Sequence, residues 1–122
     1  MENILIEGTN KSPYVNLDSE KGLIELKGRS LLEDATNFYL PLTEWVAVYV
    51  ENPAEKTVVN FEFEYFNTSC SKWLITLTKQ IKSVFENNKT LVFNWYYEDD
   101  DVLEYGEVIR DLVDLPMNML QK

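Results

Sequence analysis

Alternation is clearest over residues 57–66, where Val59, Phe61, Phe63 and Tyr65 fall on one side of an extended chain and Asn60, Glu62 and Glu64 on the other. A period of two predicts a strand with one buried face and one wet face. Ile4-Leu5-Ile6 and Tyr14-Val15-Asn16-Leu17 read as shorter strands, and Leu23-Ile24-Glu25-Leu26-Lys27 alternates again after a polar turn over 18–22. The last two are predicted to pair as an antiparallel hairpin. Between 31 and 51 the spacing becomes helical, with Phe38, Leu42, Trp45, Val46, Tyr49 and Val50 on one side. Pro41 lacks the N–H that a helix interior uses, so the helix is expected to start near it, after a looser turn.

Residues 69–87 repeat the helical spacing through Trp73, Leu74, Leu77, Ile81, Val84 and Phe85, and Asn87-Asn88 supplies a stop. Residues 90–97 return to a strand, with Phe93, Trp95 and Tyr97 inward and Asn94 and Tyr96 outward. Asp99-Asp100-Asp101 opens a last helix running to about Asp114, because acidic groups suit the positive end of a helix dipole, and Pro116 closes it. A strand, a helix and a strand joined by short turns form a right-handed crossover with parallel strands. The expected fold is α/β: a mixed β-sheet with helices packed mainly on one face, the other face partly polar. With four glycines, four prolines and no repeat, nothing marks a linker, so residues 1–122 are expected to be one domain.

Composition narrows the chemistry. The chain has no histidine and one cysteine, Cys70, which removes Ser-His and Cys-His nucleophile pairs, Cys/His zinc sites and any internal disulfide. No catalytic residues, metal or cofactor are expected. The formal charge of −10, from 21 acidic against 11 basic residues, repels phosphate backbones, so nucleic acid is not an expected partner; a protein with a basic face is steered toward it. No apolar run approaches the roughly 20 residues of a membrane span, and Met1-Glu2-Asn3 lacks the basic start of a signal peptide, so no membrane insertion and a cytoplasmic location are expected.

Between the strand at 57–66 and the helix at 69–87 lie Asn67, Thr68 and Ser69, followed by Cys70, Ser71 and Lys72. A strand-to-helix junction leaves the first helical N–H groups unpaired and able to hold an anion such as a phosphate. Asn, Thr and Ser are also ordinary N-cap residues, so spacing alone is equally served by a plain cap.

Four segments carry a resemblance that separates these readings. Ile6-Glu7-Gly8-Thr9 with Ser12-Pro13; Gly28-Arg29-Ser30 with Glu33, Phe38-Tyr39, Pro41 and Trp45; the run from Glu64 through Tyr65-Phe66-Asn67-Thr68-Ser69-Cys70-Ser71-Lys72; and Asn94-Trp95-Tyr96-Tyr97-Glu98-Asp99-Asp100-Asp101 resemble, in this order and spacing, the SiaC-type regulatory phosphoproteins of bacteria. The resemblance implies a fold similar to the STAS domains of anti-sigma-factor antagonists. It implies a partner-switching role in which an ATP-dependent kinase phosphorylates Thr68 and a PP2C-type phosphatase removes the phosphate. It further implies that the unphosphorylated form binds and activates an effector such as a diguanylate cyclase, under cyclic di-GMP control. Cys70 stands where a second serine is usual, and Leu32 where proline commonly precedes the glutamate.

Other features have plainer readings. Glu62 and Glu64 could pair as acid and base in a ligand-binding or enzymatic domain, but alternation reads them as the solvated side of a strand. Residues 98–101 lack the alternate spacing and glycine of a calcium loop. Cys70 has no resolving thiol and reads as a packing residue. Trp73, one turn into the helix after Thr68, and Tyr96, on the wet side of its strand, are candidate partner contacts.

Overall fold

The computed structural model describes residues 1–122. In chain order its elements are β1 (Ile4–Ile6), β2 (Tyr14–Asp18), β3 (Leu23–Ser30), α1 (Ala35–Tyr49), β4 (Lys56–Phe66), α2 (Thr68–Glu86), β5 (Thr90–Tyr97), α3 (Asp100–Val113) and β6 (Asn118–Gln121). The strands form one six-stranded sheet in the order β1-β2-β3-β4-β5-β6. The pairs β1/β2 and β2/β3 are antiparallel, and β3 through β6 run parallel. Three successive crossovers step the same way across the sheet, and parallel crossovers are right-handed almost without exception, so α1, α2 and α3 lie on one face. Against them the sheet buries Leu26, Val59, Phe61, Phe63, Phe93 and Trp95. The expected mixed sheet with helices on one face is the observed architecture.

The opposite face is open and polar. Glu25, Asn60, Asn94 and Asn118 stand in register across β3, β4, β5 and β6. Each amide donates to its neighbour: Asn60 Nδ2 to Glu25 Oε2 at 3.1 Å, Asn94 Nδ2 to Asn60 Oδ1 at 2.9 Å, and Asn118 Nδ2 to Asn94 Oδ1 at 3.0 Å.

Three expectations are corrected and one strand is added. Helix α1 starts at Ala35, not near Pro41, which lies inside it. Asp34 caps this earlier start by accepting from Thr36 N, and the first turns bury Ala35 and Tyr39. The hydrogen bond that Pro41 cannot make would have gone to the Asn37 carbonyl; both residues are exposed, so water can replace it. Tyr65, expected inward, is 55% exposed. The register shifts between Gly28 and Arg29, so that Phe63 pairs with Gly28 but Tyr65 with Arg29 and Phe66 with Ser30. One extra residue on β4 reverses its alternation, turning Tyr65 out and Phe66 in. Phe85, expected in the core stripe of α2, is 51% exposed, because Val84 takes the inward position and the next residue is rotated by about 100°. Strand β6 was not foreseen; four residues are too few to show a period.

Helix α3 sits close to the sheet. Trp95 Nε1 donates to the Val102 carbonyl at 2.9 Å, and a Cβ at Gly106 would run into the Trp95 indole. The single residue without a side chain on α3 is what lets the ring pass beneath the helix.

Candidate functional site

Parallel strands β3, β4 and β5 all end on the same edge of the sheet, where α1, α2 and α3 begin. Because β1 runs parallel to β3, the loop after it reaches that edge too, and Leu31 N donates to the Lys11 carbonyl at 2.7 Å. The four segments that the sequence singled out therefore meet at the carboxyl ends of the strands, the usual place for sites in open α/β sheets.

At the centre is the N-terminus of α2. Asn67 is its N-cap: Oδ1 accepts from Cys70 N at 3.0 Å, and the Asn67 carbonyl accepts from Ser71 N at 3.0 Å. Thr68 is the first helical residue, so the reading in which Thr68 itself serves as the cap does not hold. Asn67 is also pinned to the β3–α1 connection, its N–H donating to the Ser30 carbonyl at 3.0 Å and its Nδ2 to the Leu32 carbonyl at 3.1 Å. Ser69 Oγ lies 3.0 Å from both the Leu32 carbonyl and Asn67 Oδ1, its one proton serving either. Ser71 is buried, and its Oγ donates to the Thr68 carbonyl at 2.8 Å.

Thr68 differs from these neighbours. It is exposed, and its hydroxyl has no hydrogen-bond partner, while the adjacent N–H groups of Thr68 and Ser69 have no intrahelical acceptor. Lys72, exposed one turn further on, is in no ion pair. Cys70 is fully buried, its Sγ 4.0 Å from the Leu32 carbonyl, in keeping with a packing role.

Beneath the junction, Tyr39 hydroxyl and Ser30 Oγ are 2.6 Å apart and buried. Burial pushes the Tyr39 phenol well above its ordinary pKa, outweighing the hydrogen bond with Ser30, so the phenol stays protonated. Trp73 is half-buried and stacks on Tyr39, ring centroids 6.1 Å apart and planes 10° from parallel. Tyr96 is instead on the open face, in register with Glu62 and Lys27.

Glu62 and Glu64 line a polar cleft of about 330 Å³ on that face with Thr9, Ser12, Lys27 and Lys122. Each carboxylate faces a cation, Glu62 toward Lys122 Nζ at 4.0 Å and Glu64 toward Arg29 Nε at 3.9 Å. That is the solvated strand face the alternation described. No three His, Cys, Asp or Glu side chains are grouped to hold a metal ion.

Sequence reasoning missed two participants. The Leu32 carbonyl that gathers Asn67 and Ser69 is a backbone atom with no residue signature. An apolar notch of about 160 Å³, lined by Tyr65, Phe66, Asp101, Val102 and Tyr105, also lies at this edge and depends on the register shift.

Comparison with known proteins agrees over nearly the whole chain. The model of the family described as SiaC family regulatory phosphoprotein matches residues 6–122. An uncharacterised protein of Pseudomonas aeruginosa is 20% identical over 118 residues, covering 95% of this chain and 94% of that one. SiaC of Pseudomonas aeruginosa superposes with a TM-score of 0.88 at 20% identity over all of both chains. SiaC from the crystal structure of the diguanylate cyclase SiaD with its activator SiaC, from the same organism, gives a TM-score of 0.87 at 19% identity, covering 98% of this chain and 99% of that one.

Proposed function

The chain belongs to the SiaC family of regulatory phosphoproteins, and from that premise we propose that Thr68 is a reversible phosphorylation site controlling the docking of a downstream effector. An ATP-dependent kinase adds the phosphate and a PP2C-type phosphatase removes it. The unmodified form binds and activates the effector, a diguanylate cyclase by analogy with the SiaD partner of the related SiaC. The chain itself catalyses nothing and acts in the cytoplasm; no helix is long and apolar enough to cross a membrane.

The observation that carries this reading is the unengaged hydroxyl. Ser69 and Ser71 donate to carbonyl groups and Ser30 is buried against Tyr39, which leaves Thr68 as the free, exposed hydroxyl of the segment. Phosphate adds about −1.5 to −2 charges and three strong acceptors. The free N–H groups of the first turn and the Lys72 ammonium offer it donors, so the fold survives modification. A partner surface fitted to a small neutral hydroxyl meets a bulky anion it must desolvate, and lets go. In the constitutive-adaptor alternative the Thr68 hydroxyl would have no use at all, since Asn67, not Thr68, is the cap.

Incubation with the kinase and ATP is expected to place one phosphate on Thr68, located by mass spectrometry and removed by a PP2C-type phosphatase. Thr68→Glu is expected to weaken effector binding by about tenfold or more, a cost of about 1.4 kcal/mol. Equal affinity of the Thr68→Glu and unmodified proteins for the effector would defeat the proposal.

A further inference from the structure

Helix α3 has two apolar sides. Val102, Gly106, Ile109 and Val113 are buried against the rest of the fold. Tyr105, Val108 and Leu112 form a second stripe: Tyr105 is half-buried against the core, while Val108 and Leu112, 57% and 58% exposed, face away from it. Their spacings of three and four place them one above another on one side of the helix, as in the seam of a coiled coil. In that frame Glu104 and Asp111 occupy the same flanking position, one heptad apart.

The stripe begins at the notch beside the phosphoacceptor. Tyr105 packs on Phe66, ring centroids 5.0 Å apart, and Phe66 is two residues before Thr68. The notch volume of about 160 Å³ compares with the roughly 150 Å³ of a cavity that accepts a benzene ring, so it has room for one large apolar side chain. The exposed Val108 and Leu112, continuing from half-buried Tyr105 and the notch, extend one apolar strip that marks an interaction surface rather than ordinary exterior.

Charge identifies the occupant. Asp100, Asp101, Glu104 and Glu107 are in no ion pair, and the sole cation of α3, Arg110, is taken by Asp111 at 3.1 Å. We propose that this outward side of α3 docks an amphipathic helix of a protein partner, with aliphatic residues along its seam and Lys or Arg at the positions flanking it. That the partner is the regulated effector rests on the Thr68 reading; the docking chemistry does not.

The probe is an acetylated three-heptad peptide with Leu at both seam positions and Lys at the flanking ones, titrated into the isotope-labelled full-length protein. A counterpart with Glu in place of Lys is the control. Saturable NMR shifts are expected at Tyr105, Val108 and Leu112 with the Lys peptide only, weakening as salt rises from about 0.05 to about 0.5 M. Val108→Asp is expected to raise the dissociation constant about tenfold or more. Phe85→Asp, at an exposed aromatic on α2, is expected to leave it unchanged. Absence of saturable shifts at the seam, equal shifts with the Glu peptide, or equal weakening by both variants overturns the proposal. Peptide binding that persists while Thr68→Glu leaves effector affinity untouched sinks the switch reading alone. The reverse outcome sinks the seam alone.

Discussion

The open face of the sheet and the carboxyl edge of its parallel strands are both polar surfaces, yet they dispose of their polar groups in opposite ways. On the open face the side chains satisfy one another: Glu25, Asn60, Asn94 and Asn118 form a continuous chain of hydrogen bonds, and Lys27, Arg29 and Lys122 each face a glutamate. At the edge, Asn67, Ser69 and Ser71 are tied down so firmly that the Thr68 hydroxyl is left over. Tyr65 and the first carboxylates of α3 are likewise without partners there. A surface that has paired its own groups has little to gain from a ligand, whereas leftover groups held on a rigid frame gain from one. Polarity alone does not separate the two regions; the hydrogen-bond accounting does.

Three substitutions probe that contrast. Asn67→Ala removes the α2 cap and the tie to Leu32 together, and urea unfolding is expected to show a loss of about 1 to 2 kcal/mol. No loss would mean that the edge is not held by this residue. Asn94→Ala cuts the amide row at its middle, leaving Asn60 Oδ1 and Asn118 Nδ2 to water. Asn60 is only half-buried and Asn118 is exposed, so the expected loss is smaller, about 1 kcal/mol or less, and effector affinity measured by calorimetry is expected to stay the same. A drop in effector affinity would place function on the open face after all. Thr68→Val deletes a hydroxyl that bonds to nothing, and stability is expected to move by less than about 0.5 kcal/mol while kinase-dependent phosphate incorporation disappears. A larger destabilisation would show a structural use of the hydroxyl and remove the contrast.

Regular periods were legible in the sequence because each reports one face of one element. The alternation of Val59, Phe61 and Phe63 and the stripe of Leu74, Leu77, Ile81 and Val84 both lie where the spacing put them. Pro41 misled because its cost depends on what surrounds the lost hydrogen bond, and here the unpaired carbonyl is at the surface. Tyr65 misled because one inserted residue in β4, opposite Gly28 and Arg29, inverts every position after it. Gly28, at φ +107°, adopts there a backbone that other residues rarely reach. The candidate acceptor, Thr68, was reached through the resemblance of four segments, while the local pattern left Asn67, Thr68 and Ser69 equivalent as caps.

By itself the sequence determined the α/β class, the order of its strands and helices through α3, the family, and, with no histidine and one cysteine, the absence of histidine-based sites and of an internal disulfide. Those follow from composition, periodicity and motif order, which are properties of the chain read in line. The tertiary structure decided which hydroxyl at the α2 junction is free, where Tyr65 points, and that amides 34 and 24 residues apart join hands across the sheet. Such outcomes depend on groups brought together by strand register and crossover packing, and a hydrogen bond to a distant backbone carbonyl such as that of Leu32 leaves no mark on the residues that make it.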